Sequence, residues 1–422
     1  MAEIKPFAPL VYTKKSGDIL KNVSPPYDII SPREREALVE RSEYNVIGLE
    51  LPIGEDRYNE AARLLERFKN EEILAHDGND GIYVYSETFD VKGKEYTVYG
   101  MICRVRLYDF SERVILPHEE TLTKAKQDRF DLMCTTYSNI SPIYALYSDA
   151  ERVVPSILAK AMEEEPKRCF KDEKDVLHRL WKIEDESSIS SIVAAMKEKQ
   201  LFIADGHHRY ETALRFKKHL AEKGELESTD AEYQMMLLVD MENEGLVVFP
   251  THRMVNPPAQ IETKSLLERI GEHFEVTDIT GSDPEGALEC NRHKTSFVLC
   301  EGEKKYLLVL KNKDIMKEKI SDMSDAYRGL DVSVLHTLIL GDILGIDKEN
   351  MAGGKSLTYT RDLSEAIESA ENGSSRFVFL LNPTKITEIK DVSLAGEKMP
   401  QKSTYFHPKP VTGLTINDLK RK

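Results

Sequence analysis

The stretch IADGHHRYETAL, residues 203–214, places an acid, two histidines and an arginine between an apolar run and a helical pattern. This pattern predicts a strand, a glycine turn and a helix that begins near His207. Backbone N–H groups at a helix N-terminus attract phosphate, and an arginine in the first turn adds a planar fork suited to phosphate oxygens. Gly206, His207, His208 and Arg209 are therefore candidate phosphate-binding residues.

Asp205 lies immediately before this turn. Its carboxylate could cap the helix, bind a metal ion or accept a proton from a hydroxyl group. In the alternative interpretation Asp205 is only a cap and both histidines are surface residues, but the density of polar groups favours a functional site. Because Asp205 and Arg209 lie on a turn and not in the core, we expect Asp205→Asn and Arg209→Ala to abolish turnover and to leave the fold intact.

Two further clusters carry histidine beside charged residues. LPHEET, residues 116–121, has two carboxylates at a strand-to-helix junction. Acidic residues are common in a first helical turn because of the helix dipole, so Glu119 and Glu120 gain a functional meaning only if they lie beside the first cluster. In FPTHRMV, His252 and Arg253 follow a strand, and such a pair is slightly more often structural than catalytic.

Two segments offer residues for substrate binding. In SPPYDIIS the prolines fix the backbone and hold Tyr27 and Asp28 in a rigid turn. In MPQKSTYFHPK, Lys402, Ser403 and Thr404 are candidate donors to a phosphate or a substrate. A turn that serves only folding, and a solvated tail, are the respective alternatives.

Other nucleotide and metal motifs do not fit. AGGKSLT has Glu349 where the P-loop pattern requires a glycine. A zinc site built from His118, His207, His208 and His252 is a minority interpretation, because no two of them have the i, i+4 spacing of a helical metal site. The sequence therefore leaves the metal-binding residues unknown.

Composition excludes some partners. The 58 Lys+Arg against 73 Asp+Glu give a formal net charge of −15, which argues against binding nucleic acid through a broad basic surface. The five cysteines form no CxxC pair, as in a reduced cytoplasmic protein. No apolar run approaches the roughly 20 residues that span a bilayer. We expect a soluble cytoplasmic protein with no membrane or nucleic-acid partner, and its oligomeric state is left open.

The pattern of elements predicts an α+β fold, and 422 residues suffice for two to three domains. We divide the chain into an N-terminal α/β segment, a mixed α/β core and a C-terminal α/β domain, at residues 1–99, 100–256 and 257–422. Hairpins are predicted in GIYVYSETFDVKGKEYTVYGMICRVRLY and in TSFVLCEGEKKYLLVLKN. DVSVLHTLILGDILG is predicted to be an apolar helix.

These motifs together carry a resemblance. SPPYDIIS, LPHEETLTKAKQDRFDLM, SPIYALY, ADGHHRYETAL, LLVDMENEGLVVFPTHR, LLNP and MPQKSTYFHPK resemble the family known as domain of unknown function 1015, whose name supplies no chemistry. Locally, ADGHHRYETA is similar to the free serine kinases of the ParB/sulfiredoxin fold, in which that turn cradles nucleotide phosphates. This resemblance implies a ParB/sulfiredoxin-like core at residues 100–256.

The local resemblance also implies a function. The serine kinases resemble this chain in a carboxylate-bearing turn ahead of the phosphate motif, and that turn supplies their catalytic base. The likeness implies this role for Glu119 or Glu120, while Asp205 is the other carboxylate candidate. We therefore expect a kinase that transfers a phosphoryl group from ATP or ADP to the alcohol group of a small metabolite. Free L-serine is the best single acceptor, and Mg²⁺ would bridge the phosphates.

The candidate residues then take roles that sort them into three sets. Catalytic roles fall to the three carboxylates and the two histidines of the turn. The first set is Glu119, Glu120, Asp205, His207 and His208; the nucleotide-binding set is Gly206, His207, His208, Arg209 and Arg253; the substrate-binding set is Tyr27, Asp28, His252, Lys402, Ser403 and Thr404.

Two other functions stay open. One is a ParB-like regulatory protein that binds or slowly hydrolyses a nucleotide; the sequence disfavours it because no helix-turn-helix pattern and no basic face is found. The other is a metal-dependent hydrolase that uses the histidines.

Overall fold

The computed structural model describes residues 2–121, 123–346 and 356–420, and the predicted α+β class is confirmed. The chain forms two compact units. Unit 1 comprises Met1–Pro117, Thr121–Val247 and Pro408–Lys422, and unit 2 comprises His118–Glu120 and Val248–His407. Each unit combines pieces that are distant in sequence. The division into three segments at residues 1–99, 100–256 and 257–422 stays a prediction. Most of AGGKSLT, with Glu349, lies outside the described residues.

The main sheet of unit 1 has nine strands within the described part of the chain. They are β1 (Ile4–Lys5), β2 (Ile82–Val91), β3 (Lys94–Arg106), β4 (Ile115–Leu116), β5 (Ile143–Tyr147), β6 (Arg168–Lys171), β7 (Leu177–Ile183), β8 (Leu201–Asp205) and β9 (Tyr233–Asp240). The order is β4-β8-β5-β9-β3-β2-β7-β6, and β1 pairs with β3. The pairs β4·β8 and β5·β9 are parallel, and the others are antiparallel. Short strands lie elsewhere in the chain at Leu10–Tyr12, Leu74–His76, Ser138–Asn139, Val247–Val248, Phe406–His407 and Asn417–Asp418.

The helices of unit 1 pack apolar faces on this sheet and on each other. They are α1 (Ile19–Asn22), α2 (Pro32–Arg41), α3 (Ile47–Glu50), α4 (Arg57–Asn70), α5 (Thr123–Thr136), α6 (Val153–Ala161), α7 (Glu186–Met196) and α8 (His207–Lys223). In α8, buried Tyr210, Ala213, Phe216 and Leu220 recur at helical spacing. This face fixes α8 against the core, so its first turn directly follows the end of β8.

Unit 2 is built on an antiparallel sheet. Its strands are β10 (His252–Val255), β11 (Phe274–Asp278), β12 (Ser296–Glu301), β13 (Lys304–Leu310), β14 (Leu357–Thr360) and β15 (Phe377–Leu381), in the order β11-β13-β12-β15-β10-β14. Its helices are α9 (Thr263–His273), α10 (Pro284–Cys290), α11 (Ile315–Lys319), α12 (Asp325–Arg328), α13 (Asp331–Val334), α14 (Leu363–Glu371) and α15 (Ile386–Ala395). A π-helix covers Leu335–Gly341.

The structure agrees with part of the sequence prediction. Both predicted hairpins form, as β2·β3 and as β12·β13. The apolar segment DVSVLHTLILGDILG is helical, as predicted, from Asp331 to Gly341, where α13 ends at Val334 and a π-helix follows. The MPQKSTYFHPK segment is not a solvated tail, because Met399, Ser403 and Phe406 are buried. Within the described ranges, no helix combines the length and apolar character needed to span a membrane.

A buried carboxyl group lies within the unit 1 sheet. Glu87 on β2 is 2% exposed, and its Oε1 atom has no hydrogen-bond partner. His178 Nδ1 on β7 is 3.7 Å from that oxygen and 2.7 Å from the hydroxyl of Tyr85. Burial raises the pKa of Glu87 to about 7, although the charge of His178 opposes the shift. The folded protein therefore holds a proton on Glu87 that the unfolded chain releases at lower pH.

This shift predicts a pH dependence of stability. Because the pKa of Glu87 is raised from 4.5 to about 7 on folding, its contribution is present below pH 4.5 and lost as pH rises through 7. Glu87→Gln, which resembles the protonated acid, removes this loss, worth about 1.4 kcal/mol per pKa unit. Urea unfolding across this pH range measures it. Glu95→Gln, an exposed glutamate on β3, is the control, and a parallel wild-type and Glu87→Gln profile would contradict the assignment.

Candidate functional site

Asp205, the last residue of β8, lies between two cations of unit 1. Its Oδ1 atom is 2.6 Å from Lys409 Nζ, and its Oδ2 atom is 2.7 Å from Arg209 Nη2. Lys409 Nζ also lies 2.7 Å from Asp28 Oδ2. The side chains of Asp205, Arg209 and Lys409 are 19%, 11% and 9% exposed. Asp205 and Arg209 are therefore partly buried at this turn.

Gly206 makes this arrangement sterically possible. It is the N-cap of α8, with φ +97°, and as a glycine it has no side chain that could cap the helix. A Cβ atom on Gly206 would lie 2.9 Å from both Nε and Nη2 of Arg209. Glycine thus allows the guanidinium to fold back over the turn and reach Asp205.

A second layer of hydrogen bonds holds Arg209 from the other side. Its Nη1 atom donates to Ser141 Oγ at 3.0 Å and to the Pro142 carbonyl at 2.6 Å. Ser141 Oγ in turn donates to Glu50 Oε1 at 2.9 Å. Arg129 donates to the Glu50 carbonyl at 2.6 Å. These hydrogen bonds fix the orientation of the Arg209 guanidinium group at the start of α8.

The SPPYD turn and the C-terminal segment meet beside this cluster. Ser24 and Thr412 exchange backbone hydrogen bonds of 3.1 and 2.8 Å. A short 3₁₀ turn, Tyr27–Ile29, then directs Asp28 to Lys409. The guanidinium of Arg129 stacks 4.2 Å from the ring centre of Tyr27. Tyr27 and Asp28 therefore join the Asp205 cluster.

Electrostatics favour the charged forms of this cluster. Burial alone would raise the pKa of Asp205, but Lys409 and Arg209 outweigh it and hold that pKa well below its usual range. Burial opposes the charge of Lys409, and the carboxylates of Asp205 and Asp28 raise its pKa despite this. Two carboxylates and two cations thus offset each other at the first turn of α8.

The remaining predicted residues of unit 1 lie on α8 itself. His207 is 3% exposed, and His208, the next residue, is half-buried. Both are in the first turn, as predicted. His208 is therefore the more accessible of the two histidines.

Unit 2 contains the other predicted residues. His118 Nε2 and Thr404 Oγ1 are hydrogen-bonded at 3.0 Å, which ties the PHEE turn of Glu119 and Glu120 to the KST segment. Lys402 is exposed and has a left-handed backbone with φ +56°. Its neighbour Ser403 is buried, and the Ser403 hydroxyl donates to the Pro400 carbonyl. His252 and Arg253 follow the short strand Val247–Val248, as predicted, and they begin β10.

Sequence reasoning missed four members of the unit 1 cluster. Each has a polar side chain that contacts the cluster although the residue is distant in sequence. They are Glu50, Arg129, Ser141 and Lys409. Only Lys409 carries a local signal, because Pro408 and Pro410 on either side restrict its backbone. The other three have no distinctive sequence context.

The described residues do not provide a preformed metal site. Across residues 2–121, 123–346 and 356–420, no three His, Cys, Asp or Glu side chains are grouped to hold a metal ion. Both oxygens of Asp205 already accept from Lys409 and Arg209. As it is paired in unit 1, Asp205 does not fit the role of a Mg²⁺ ligand.

Known proteins resemble the chain at two levels. The model of a family described as a protein of unknown function (DUF1015) matches residues 4–333. No curated protein matches the chain significantly. A solved structure of a free serine kinase in complex with AMP is 16% identical, with a TM-score of 0.36 over 72% of this chain and 88% of that chain.

Two other solved structures give similar values. A conserved hypothetical protein from Pyrococcus furiosus is 16% identical, with a TM-score of 0.33 over 69% of this chain and 87% of that chain. SbnI with a C-terminal truncation, from Staphylococcus aureus, is 12% identical, with a TM-score of 0.36 over 75% and 87%. Because these values are low, residue roles are not transferred from these structures.

The Asp205 network predicts a loss of stability when its central carboxylate is removed. Asp205→Asn leaves Lys409 and Arg209 partly buried with one carboxylate fewer, so we expect the free energy of unfolding to fall by roughly 3 kcal/mol. Asp28→Asn removes the other carboxylate bound to Lys409. The Asp28 side chain is 39% exposed, so this change should lower the free energy of unfolding by only about 0.5 kcal/mol. Urea unfolding measures both. Equal costs would contradict a central role for Asp205.

The steric role of Gly206 predicts a second difference. Gly206→Ala places a Cβ atom against Arg209 at a positive φ, whereas Gly224→Ala, at the other end of α8 with φ +72°, meets nothing within 4 Å. Gly224→Ala should cost about 1 kcal/mol from backbone strain alone. Gly206→Ala should cost about 1–3 kcal/mol more, because Arg209 must move. Thermal and urea unfolding compare the two, and equal losses would show that the contact is unimportant.

Proposed function

Because the chain belongs to the DUF1015 family, whose name assigns no activity, we propose a function from its own residues: a nucleotide-dependent phosphotransferase. ATP or ADP donates the phosphoryl group, and the alcohol group of a small metabolite accepts it, with free L-serine as the first candidate. The observation that carries this proposal is the start of α8, where the first helical turn is held by two partly buried cations, Arg209 and Lys409.

The turn suits a phosphate group for two reasons. Phosphoryl transfer asks the protein chiefly for positioning and for positive charge. The first-turn N–H groups of a 17-residue helix point toward its N-terminus. Gly206, His207 and His208 are proposed to contact the phosphates.

Arg209 and Asp205 support this turn mainly by positioning it. Both terminal nitrogens of Arg209 are bonded within unit 1, to Ser141, Pro142 and Asp205. The lowered pKa of Asp205 makes it a poor proton acceptor. We therefore propose Glu119 or Glu120, the carboxylates of the PHEE turn, as the base.

Within unit 1, Tyr27 and Asp28 keep their proposed role in substrate binding. Magnesium would accompany the nucleotide phosphates, since Mg²⁺ is often held by phosphates and few protein ligands.

The direct test is an acceptor panel. Purified protein is incubated with ATP or ADP, Mg²⁺ and each of several amino acids and sugars, and products are identified by mass spectrometry. O-phospho-L-serine formed only when serine is present supports the proposal. Nucleotide loss that is independent of every acceptor would instead indicate a nucleotide-hydrolysing regulatory protein.

The proposed base predicts a selective loss of turnover. Glu119→Gln and Glu120→Gln are compared, and the variant that removes the base should lower kcat by roughly 10²- to 10⁴-fold, because its amide cannot accept the proton. Glu222→Gln, an exposed glutamate on α8, is the control and should retain wild-type kcat. Thermal unfolding confirms that each variant is folded. Wild-type kcat in both Glu119→Gln and Glu120→Gln would refute the base assignment.

A further inference from the structure

Arg253 is a buried cation of unit 2 that lacks an acidic partner. It is 1% exposed and belongs to β10, which pairs with β14 and β15. Its Nη1 and Nη2 atoms donate to the carbonyls of Thr251 and Lys402, the latter at 3.2 Å, and its Nε atom has no partner. Among the residues that the structure describes, no carboxylate forms an ion pair with it. Burial lowers its pKa to about 10, which reflects the cost of the uncompensated charge.

Two neutral histidines lie close to this charge. Burial and the charge of Arg253 lower the pKa of His252 to about 4 and that of His336 to about 3. His252 Nδ1 accepts from the Leu381 backbone at 3.2 Å, whereas His336 Nε2 is buried without a partner. His336 lies in the π-helix, a distortion found often at functional sites. Arg253 Nε and His336 Nε2 are thus two buried nitrogens without a hydrogen-bond partner, and such atoms call for an explanation.

Arg253 also lines a cavity of about 20 Å³ in unit 2. Lys385, Arg292 and Thr384 are among the other lining residues. A guanidinium has five N–H donors, and the two carbonyl contacts leave others available. The volume accommodates one or two water-sized groups, which suits a carboxylate better than a phosphate.

The acidic residues of the cavity do not cancel this charge. Glu388 accepts from the Lys385 backbone at 2.8 Å, as part of the cap of α15. Burial raises the pKa of Asp331 to about 6, which disfavours its charged form. Neither carboxylate is paired with Arg253.

We propose that the cavity lined by Arg253 binds the carboxylate group of a small organic acid or amino acid. The guanidinium donates to the carboxylate oxygens, and the anion supplies the charge that the folded protein omits. The sequence predicted that Arg253 binds a nucleotide phosphate, whereas the size of the cavity favours a carboxylate. This site does not depend on the proposed function of unit 1.

The test measures anion-dependent stabilisation of the full chain. Thermal midpoints are recorded with rising sodium acetate, L-serine or inorganic phosphate, at ionic strength matched with chloride. L-serinamide, which lacks the carboxylate, is compared with L-serine. We expect acetate and L-serine to raise the wild-type midpoint with saturation, and L-serinamide to have no effect. A response to phosphate alone, or to none of the anions, would overturn the proposal.

Variants locate the effect. Arg253→Met removes the charge and should abolish the acetate response; Arg253→Lys keeps the charge without the planar fork and should weaken it. Arg269→Lys is the control, because exposed Arg269 likewise donates to two carbonyls, of Ile343 and Asp342. It should retain the wild-type response. If Arg253 only anchors the Lys402 segment, Arg253→Lys lowers the midpoint and leaves the acetate response unchanged, which would refute the site.

Discussion

The shared carboxylate of Asp205 is the interaction on which the arrangement of unit 1 depends. It joins the β8–α8 turn to Lys409 of the C-terminal segment, and Lys409 joins the SPPYD turn through Asp28. Each of these charges is costly to bury alone and is acceptable only when paired. Three segments that are remote in sequence are thus held in one geometry, and Gly206 provides the space that this geometry needs.

Arg209 and Arg253 show opposite solutions. In unit 1, the carboxylate of Asp205 raises the pKa of Arg209 against the effect of burial. In unit 2, Arg253 lies beside carbonyl groups and the ring of Tyr359, and burial lowers its pKa. A cation that is balanced inside the protein contributes to the fold, whereas one left without a counter-charge is better explained by a ligand. This contrast separates a positioning role for Arg209 from a binding role for Arg253.

Local patterns in the sequence predicted the local structure well. Alternation gave the hairpin of β2 and β3, and helical spacing with a glycine turn gave α8 beginning at His207. The partner of Asp205 could not be predicted in this way, because Lys409 lies 204 residues away. An apolar run also does not distinguish an α-helix from the π-helix at Leu335–Gly341. Pairing between remote charges and register within a helix both depend on tertiary packing.

The net charge of −15 therefore says little about either candidate site. Charges in solvent are screened over about 8 Å at physiological ionic strength, so a ligand responds mainly to the groups around it. In unit 1 the two carboxylates nearest α8 are offset by two cations, and the helical N–H groups add to the positive potential. In unit 2 one guanidinium dominates. An acidic protein can thus present anion sites when the positive groups are buried and fixed, and the acidic groups around them are engaged.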